Sequence, residues 1–140
     1  MRNKSLLLIF VLFLIFALVG CSGIIPAPIH DKEEILILVN DYLLALSNRE
    51  YELAKTYCIL NGNAYKTVEK YQNMPYLDSS TLIFTAYLNY VETNGINAEM
   101  NINLTLTATI CFGDICSSES ETINNFSMYL IKIDNIWKLN

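Results

Sequence analysis

From Ala98 to Phe112 every second side chain is apolar: Ala98, Met100, Ile102, Leu104, Leu106, Ala108, Ile110 and Phe112. Between them stand Glu99, Asn101, Asn103, Thr105, Thr107 and Thr109. Successive β-carbons of a strand point to opposite faces, so this pattern predicts a long strand with one side in a core and the other towards water. One-sided strands of this kind belong to antiparallel sheets. A second alternating run, Leu82, Phe84, Ala86, Leu88 and Tyr90, precedes it. The two should pair through a three-residue loop, Thr93-Asn94-Gly95, with Gly95 left-handed. That loop sets Tyr90 against Ala98, Leu88 against Met100, Ala86 against Ile102 and Phe84 against Leu104. Both apolar faces then coincide, whereas a two-residue loop would slip the register by one.

Gly113-Asp114 fits a two-residue hairpin with glycine first, which pairs Phe112 with Ile115 and Cys111 with Cys116. The cysteine pair is a non-hydrogen-bonded one, where α-carbons approach to ~4.5 Å, within the reach of a disulfide. A cross-strand disulfide at the hairpin tip is expected, on the same face as the Asn/Thr row. The third strand begins polar at Ser117-Ser118-Glu119-Ser120-Glu121 and turns apolar through Phe126, Met128, Leu130, Ile131 and Ile133. Its pattern slips at Asn124-Asn125, which predicts a bulge. Asp134-Asn135 is a further tight turn into a short last strand, Ile136-Trp137-Lys138-Leu139.

Ahead of the strands the period is helical. Ile35, Leu38, Val39, Tyr42 and Leu46 share one face of a helix over residues 31–46, and Asp31, Glu33 and Glu34 suit its first turn. Ser47-Asn48-Arg49-Glu50 reads as a capping box opening a second helix, with Leu53, Ala54, Tyr57 and Cys58 as its buried side. Asn61-Gly62-Asn63 ends that helix, and a third is expected from Ala64 to Tyr71. Cys58, on an apolar face, reads as an inert core thiol.

The chain opens with Arg2 and Lys4, then an unbroken apolar run from Leu6 to Val19, then Gly20 and Cys21. A positive start, an apolar middle and a small residue before the break describe a secretory signal. Leu18-Val19-Gly20-Cys21 resembles the lipobox of bacterial lipoproteins. That resemblance implies cleavage before Cys21 and diacylglyceryl modification of its thiol. An uncleaved membrane helix is the alternative, although the run from Leu6 to Val19 is shorter than the roughly 17–25 residues a span requires. Either way the remainder lies outside the cytoplasm. The expected divisions are a signal over residues 1–20, a lipidated cysteine and tether over 21–30 including Pro26, Pro28 and His30, and one domain over 31–140. Anchorage would be to the cell membrane or the outer membrane.

Nine basic side chains less Arg2 and Lys4 leave seven against fourteen acidic ones, a mature net charge of about −7 with His30 neutral. Such a balance gives no electrostatic reason to bind nucleic acid. An exported location permits disulfides. Zinc would need more ligands than Cys111 and Cys116, and the one histidine lies in the tether. No cofactor and no metal are expected.

Three N-terminal helices followed by a four-stranded antiparallel meander resemble the cone-shaped nuclear-transport-factor-2-like, or cystatin-like, fold. The residues that carry the likeness are Ala45-Leu46-Ser47-Asn48-Arg49-Glu50-Tyr51-Glu52-Leu53-Ala54, similar to its helix-turn-helix opening, and Tyr129 to Leu139, similar to its closing hairpin. The expected class is therefore α+β, with N-terminal helices packed on a curved four-stranded antiparallel meander sheet. The resemblance implies a conical pocket between sheet and long helix, used by isomerases and dehydratases in some members and by non-catalytic domains in many. Asp41 and Tyr42 with Tyr87 or Tyr90 are the acid–tyrosine set from which an enzyme of that kind could be assembled. No titratable group falls on the inner face of the second strand, so the reading favoured here is non-catalytic. The domain would bind a protein partner or a small apolar ligand. Glu99, Asn101, Asn103, Thr105 and Thr107 form a candidate binding face, for a partner or a second copy.

Overall fold

The structure, a computed structural model, describes residues 29–74 and 80–140. Helix α1 (Ile29–Ser47) is followed by α2 (Tyr51–Thr56), α3 (Asn63–Gln72) and four strands: β1 (Ser80–Thr93), β2 (Asn97–Phe112), β3 (Ile115–Ile133) and β4 (Ile136–Leu139). The strands form one antiparallel meander in the order β1-β2-β3-β4. The expected α+β class holds, with helices packed on a curved, open sheet. The leader, Cys21 and the prolines of the tether lie outside the described residues.

Helix α1 begins two residues before its expected start, taking in His30, whose Nε2 lies 3.0 Å from Glu34 Oε1 one turn on. Its face of Ile35, Val39, Tyr42 and Leu46 is buried, together with Leu43 and Ala45. Opposite it lie Val91, Ala98, Met100, Ile102, Met128, Leu130, Trp137 and Leu139.

The capping box does not form. Helix α2 starts after Glu50 with no side-chain cap. Ser47 instead closes α1, its hydroxyl donating to Leu43 O at 3.0 Å and accepting the Phe84 amide at 3.1 Å. Arg49 takes a left-handed φ of 62° and its guanidinium donates to Ser80 O. An edge-strand amide thus occupies the hydroxyl that a local cap would have used, a tertiary contact overriding a sequence-local one. Of the predicted α2 face, Ala54 and Cys58 are buried but Leu53 is exposed. The chain leaving α2 is stitched to the last strand by Leu139 N to Tyr57 O at 2.9 Å and Ile59 N to Leu139 O at 2.7 Å.

The β1–β2 register differs from the expected one. Thr93 faces Ala98, so the loop holds four residues, Asn94 to Asn97, and not three. Asn94 Oδ1 accepts the amides of Ile96 at 3.0 Å and Asn97 at 2.8 Å, and Gly95 is left-handed at φ 86°. An asparagine that satisfies two loop amides favours the longer turn. A bulge between Leu88 and Tyr90 then takes up one residue. Beyond it Leu88 faces Ile102, Ala86 faces Leu104 and Phe84 faces Leu106. The net slip is two residues, which returns the apolar side chains to the same face. Val91, not Tyr90, occupies the core, and Tyr90 turns to the polar face.

The second hairpin is as expected. Cys111 pairs with Cys116 and Phe112 with Ile115, Gly113 has φ 61°, and a disulfide joins the cysteines with α-carbons 4.1 Å apart. The β3 bulge also forms: Asn124 and Asn125 together oppose Asn103, whose Oδ1 accepts the Asn125 amide at 3.0 Å. Asp134 and Asn135 are both left-handed, as a tight primed turn requires.

The expectation that the whole even-numbered row of β2 is core holds fully for its first three residues. Ala98, Met100 and Ile102 are buried, Leu104, Leu106 and Ala108 half-buried, Ile110 exposed and Phe112 80% exposed. The cause is length. Sixteen residues of strand span about 53 Å and nineteen of helix about 28 Å, so the β2–β3 hairpin outruns the helices meant to cover it.

Candidate functional site

Between α1, α3 and the inner sheet face lies an open cavity of about 460 Å³. Tyr42, Leu43 and Leu46 of α1, Leu139 of β4 and Met128 of β3 supply buried wall residues. Phe84 and Leu104 line it from β1 and β2, and Ala64, Thr67 and Tyr71 from α3. The Tyr71 and Phe84 rings meet edge-on with centroids 5.6 Å apart, closing α3 against β1. The more exposed lining residues are Asn63, Ile123, Phe126, Tyr129 and Asn140. A size of this order and a mainly apolar lining with a few polar groups are properties of small-molecule sites.

Burial raises two tyrosine hydroxyls of the lining and the thiol of Cys58, which neighbours Tyr42. Burial pushes the Tyr42 hydroxyl up from its ordinary value, reinforced by neighbouring Cys58 and Tyr71. Burial likewise raises Tyr71, and pushes the Cys58 thiol up to about 12 despite the attraction of Lys138. Cys58 Sγ donates to Ala54 O at 3.4 Å, which fits the inert core thiol read from the sequence. Tyr42 is 4% exposed, and its hydroxyl has no hydrogen-bond partner among the described residues. Among the described residues, no Asp, Glu, His, Lys or Arg side chain lines the cavity.

The acid–tyrosine set proposed from sequence is not assembled. Tyr42 lines the cavity, but Asp41 is exposed on the next face of α1 beside a separate shallow cleft with Glu34, Trp137 and Lys138. Tyr87 and Tyr90 lie on the opposite side of the sheet, paired with Asn103 and Asn101. A helical step of one residue turns a side chain by about 100°, so adjacent positions such as Asp41 and Tyr42 serve different faces.

The predicted binding row runs along that outer side. Asn101 is buried, and Glu99, Asn103, Thr105 and Thr107 are half-buried. Tyr90 and Ser127 donate to Glu99 Oε1 at 3.2 and 2.7 Å. Asn89 donates to Asn101 and Asn103 at 2.8 and 3.1 Å, and Asn101 donates to Ser127 at 3.1 Å. Hydroxyl pairs Thr105–Thr122, Thr107–Ser120 and Thr109–Ser118 continue the ladder at 2.8–2.9 Å, up to the disulfide. The row is thus a cross-strand hydrogen-bond ladder, which stabilises the long hairpin where no helix covers it.

Sequence reasoning missed the cavity-lining residues of α3, Ala64, Thr67 and Tyr71. They share one face of α3 at helical spacing, but the surface that this face meets is defined only by the tertiary fold. Among the described residues no group of three or more metal-ligating side chains is gathered. No helix among them is long and apolar enough to cross a membrane.

No family model matches the chain, and no curated protein does. Solved structures share its fold. A protein of unknown function with a cystatin-like fold from Nostoc punctiforme superposes with a TM-score of 0.54 at 17% identity, over 79% of this chain and 86% of that one. The intermembrane space region of the chloroplast protein ARC6 gives 0.51 at 13% identity, over 74% and 87%. Bd1075 of Bdellovibrio bacteriovorus gives 0.53 at 13% identity, over 79% of this chain but 39% of that one. The helices and meander are therefore a distant cystatin-like fold.

Proposed function

We propose that this is a non-catalytic binding domain that takes a small, largely apolar molecule into the cavity between its helices and sheet. The observation that carries the reading is the cavity lining, apolar on most sides and, among the described residues, without a carboxylate, histidine, lysine or arginine side chain, while burial raises its Tyr42 and Tyr71 hydroxyls further from neutral pH. General acid–base work of the isomerase or dehydratase kind needs such a group within reach of the substrate. The polar outer row favours structural support over partner contact, because its side chains are engaged with one another.

We further propose that the domain is lipid-anchored outside the cytoplasm through Cys21, after removal of residues 1–20. The basic start, the apolar run and the four residues ending in Cys21 support this. Two or more acyl chains would give stable attachment, where one gives only reversible binding.

Native mass spectrometry of the full-length protein extracted from membranes tests both statements. The expected result is a chain starting at an acylated Cys21, carrying a small neutral molecule. An intact Met1 with a free Cys21 thiol would contradict the anchor, and a protein that takes up no apolar molecule when challenged would contradict the binding reading.

A further inference from the structure

Among the described residues that are buried and line the cavity, Tyr42 alone carries a polar side-chain group. Tyr42 is 4% exposed, sits in the C-terminal half of α1, and lines the cavity with Leu43, Leu46 and Leu139. Its hydroxyl makes no hydrogen bond with the described residues, whereas the side chains of the buried Asp31 and Asn101 each make one. A phenol at an apolar site usually finds a partner for its hydroxyl, and the Tyr42 hydroxyl is not sealed off, so a molecule in the open cavity can reach it. The hydroxyl carries its proton under all physiological conditions, since burial raises its pKa. It therefore offers a donor, and an acceptor on a ligand would satisfy it.

Charge sets the second half of the argument. Among the described residues, no lysine, arginine or histidine side chain lines the cavity to pair with an anion, and no Asp or Glu lines it to pair with a cation. The neighbouring polar groups, Tyr71 and Cys58, are likewise neutral. Moving a charged group into such surroundings unpaired is strongly unfavourable.

We infer that the ligand is an uncharged molecule with an apolar body and a single hydrogen-bond acceptor, such as a carbonyl or ether oxygen, which takes the proton of Tyr42. This rests on the cavity being a binding site, and it specifies the ligand class for that site.

The test uses three probes of matched size on the full chain, followed by ligand-observed NMR at pH 7: 4-propylacetophenone, its acceptor-free isostere 4-isopropyl-propylbenzene, and 4-propylbenzoate. The ketone should bind at least tenfold more tightly than the carboxylate. Tyr42→Phe should weaken the ketone about tenfold and leave the hydrocarbon within twofold. If the carboxylate binds as tightly as the ketone, or if Tyr42→Phe affects ketone and hydrocarbon alike, the ligand class is wrong although the cavity still binds. If none of the three binds, the cavity reading itself fails and this inference with it. Should Tyr42→Phe unfold the domain, the ketone-to-carboxylate ratio in the unsubstituted protein still decides.

Discussion

Asp31 in the first turn of α1 and Lys132 near the end of β3, 101 residues apart in sequence, meet at 2.6 Å. Both are largely shielded, with side-chain exposures of 5% and 18%. The Lys132 ammonium also lies 5.3 Å from the centre of the Trp137 ring. The hydrogen bond from Lys132 holds the Asp31 carboxyl below its ordinary value, against the opposing effect of burial. The indole N–H of Trp137, buried and without a hydrogen bond of normal geometry, adds a weaker pull in the same direction. These three side chains fasten the start of the long helix to the closing hairpin.

The first prediction follows from that pair. Asp31→Asn removes the nearer counter-charge of a shielded ammonium, leaving only Glu34 Oε2 at 3.9 Å, and should lower the unfolding free energy at pH 7 by about 2 kcal/mol. Because the folded carboxyl is held below its unfolded value of about 3.9, the pair's contribution is complete above that pH and is lost as pH falls through the lower folded value. Urea unfolding of both proteins across the acid range should show the gap closing on acidification. A gap that widened towards low pH would reverse the assignment.

A second prediction concerns partial coverage of the sheet. Ile102 is fully buried and Phe112 is 80% exposed, though both lie on one face of one strand. Ile102→Ala should cost about 3 kcal/mol, whereas Phe112→Ala should stay within about 0.5 kcal/mol. Equal losses at the two sites would mean that the distal hairpin is covered in solution.

The disulfide gives a third. Closing so short a loop contributes about 2 kcal/mol in the chain-entropy model, and here it acts on the part of β2 and β3 farthest from the helices. Reduction should speed amide hydrogen exchange in residues 105–122 and leave Ile35 to Leu46 protected. Uniform loss of protection would show that the hairpin and the core unfold as one unit.

A fourth prediction is chemical. Cys58 is buried and its thiol is pushed up to about 12. At pH 8 it should resist iodoacetamide in the folded protein and react fully in denaturant, as a protonated, shielded thiol must. Rapid labelling of the native protein would place Cys58 in an open site.

Most of the architecture is legible before any coordinates. The even-numbered row of β2 defines a one-faced sheet because a strand's period is fixed by backbone geometry. Gly113-Asp114 fixes the second hairpin and thereby the cysteine pair, since a two-residue turn leaves no freedom of register. Where reading by local rules fails, a distant contact has intervened. Ser47 looks like a cap but serves the Phe84 amide, 37 residues on. The β1–β2 register depends on Asn94 bonding two loop amides and on a bulge near Tyr90, neither of which alternation reveals. Tyr42 is predicted as both a core position and a site candidate, and it is buried and lines the cavity. Its companion Asp41 is not, because one step along a helix changes the face. The cavity itself is a gap between elements, and no residue pattern encodes an empty space.

The central claim is that the space beneath the helices receives a small neutral molecule. Side-chain NMR of the full chain titrated with 4-propylacetophenone tests it most directly. Saturable shifts at Tyr42, Leu46, Leu104 and Phe126, with Thr105 and Thr107 unmoved, are the predicted result. Shifts confined to the outer row from Glu99 to Thr107, or no saturable shift anywhere, would contradict it.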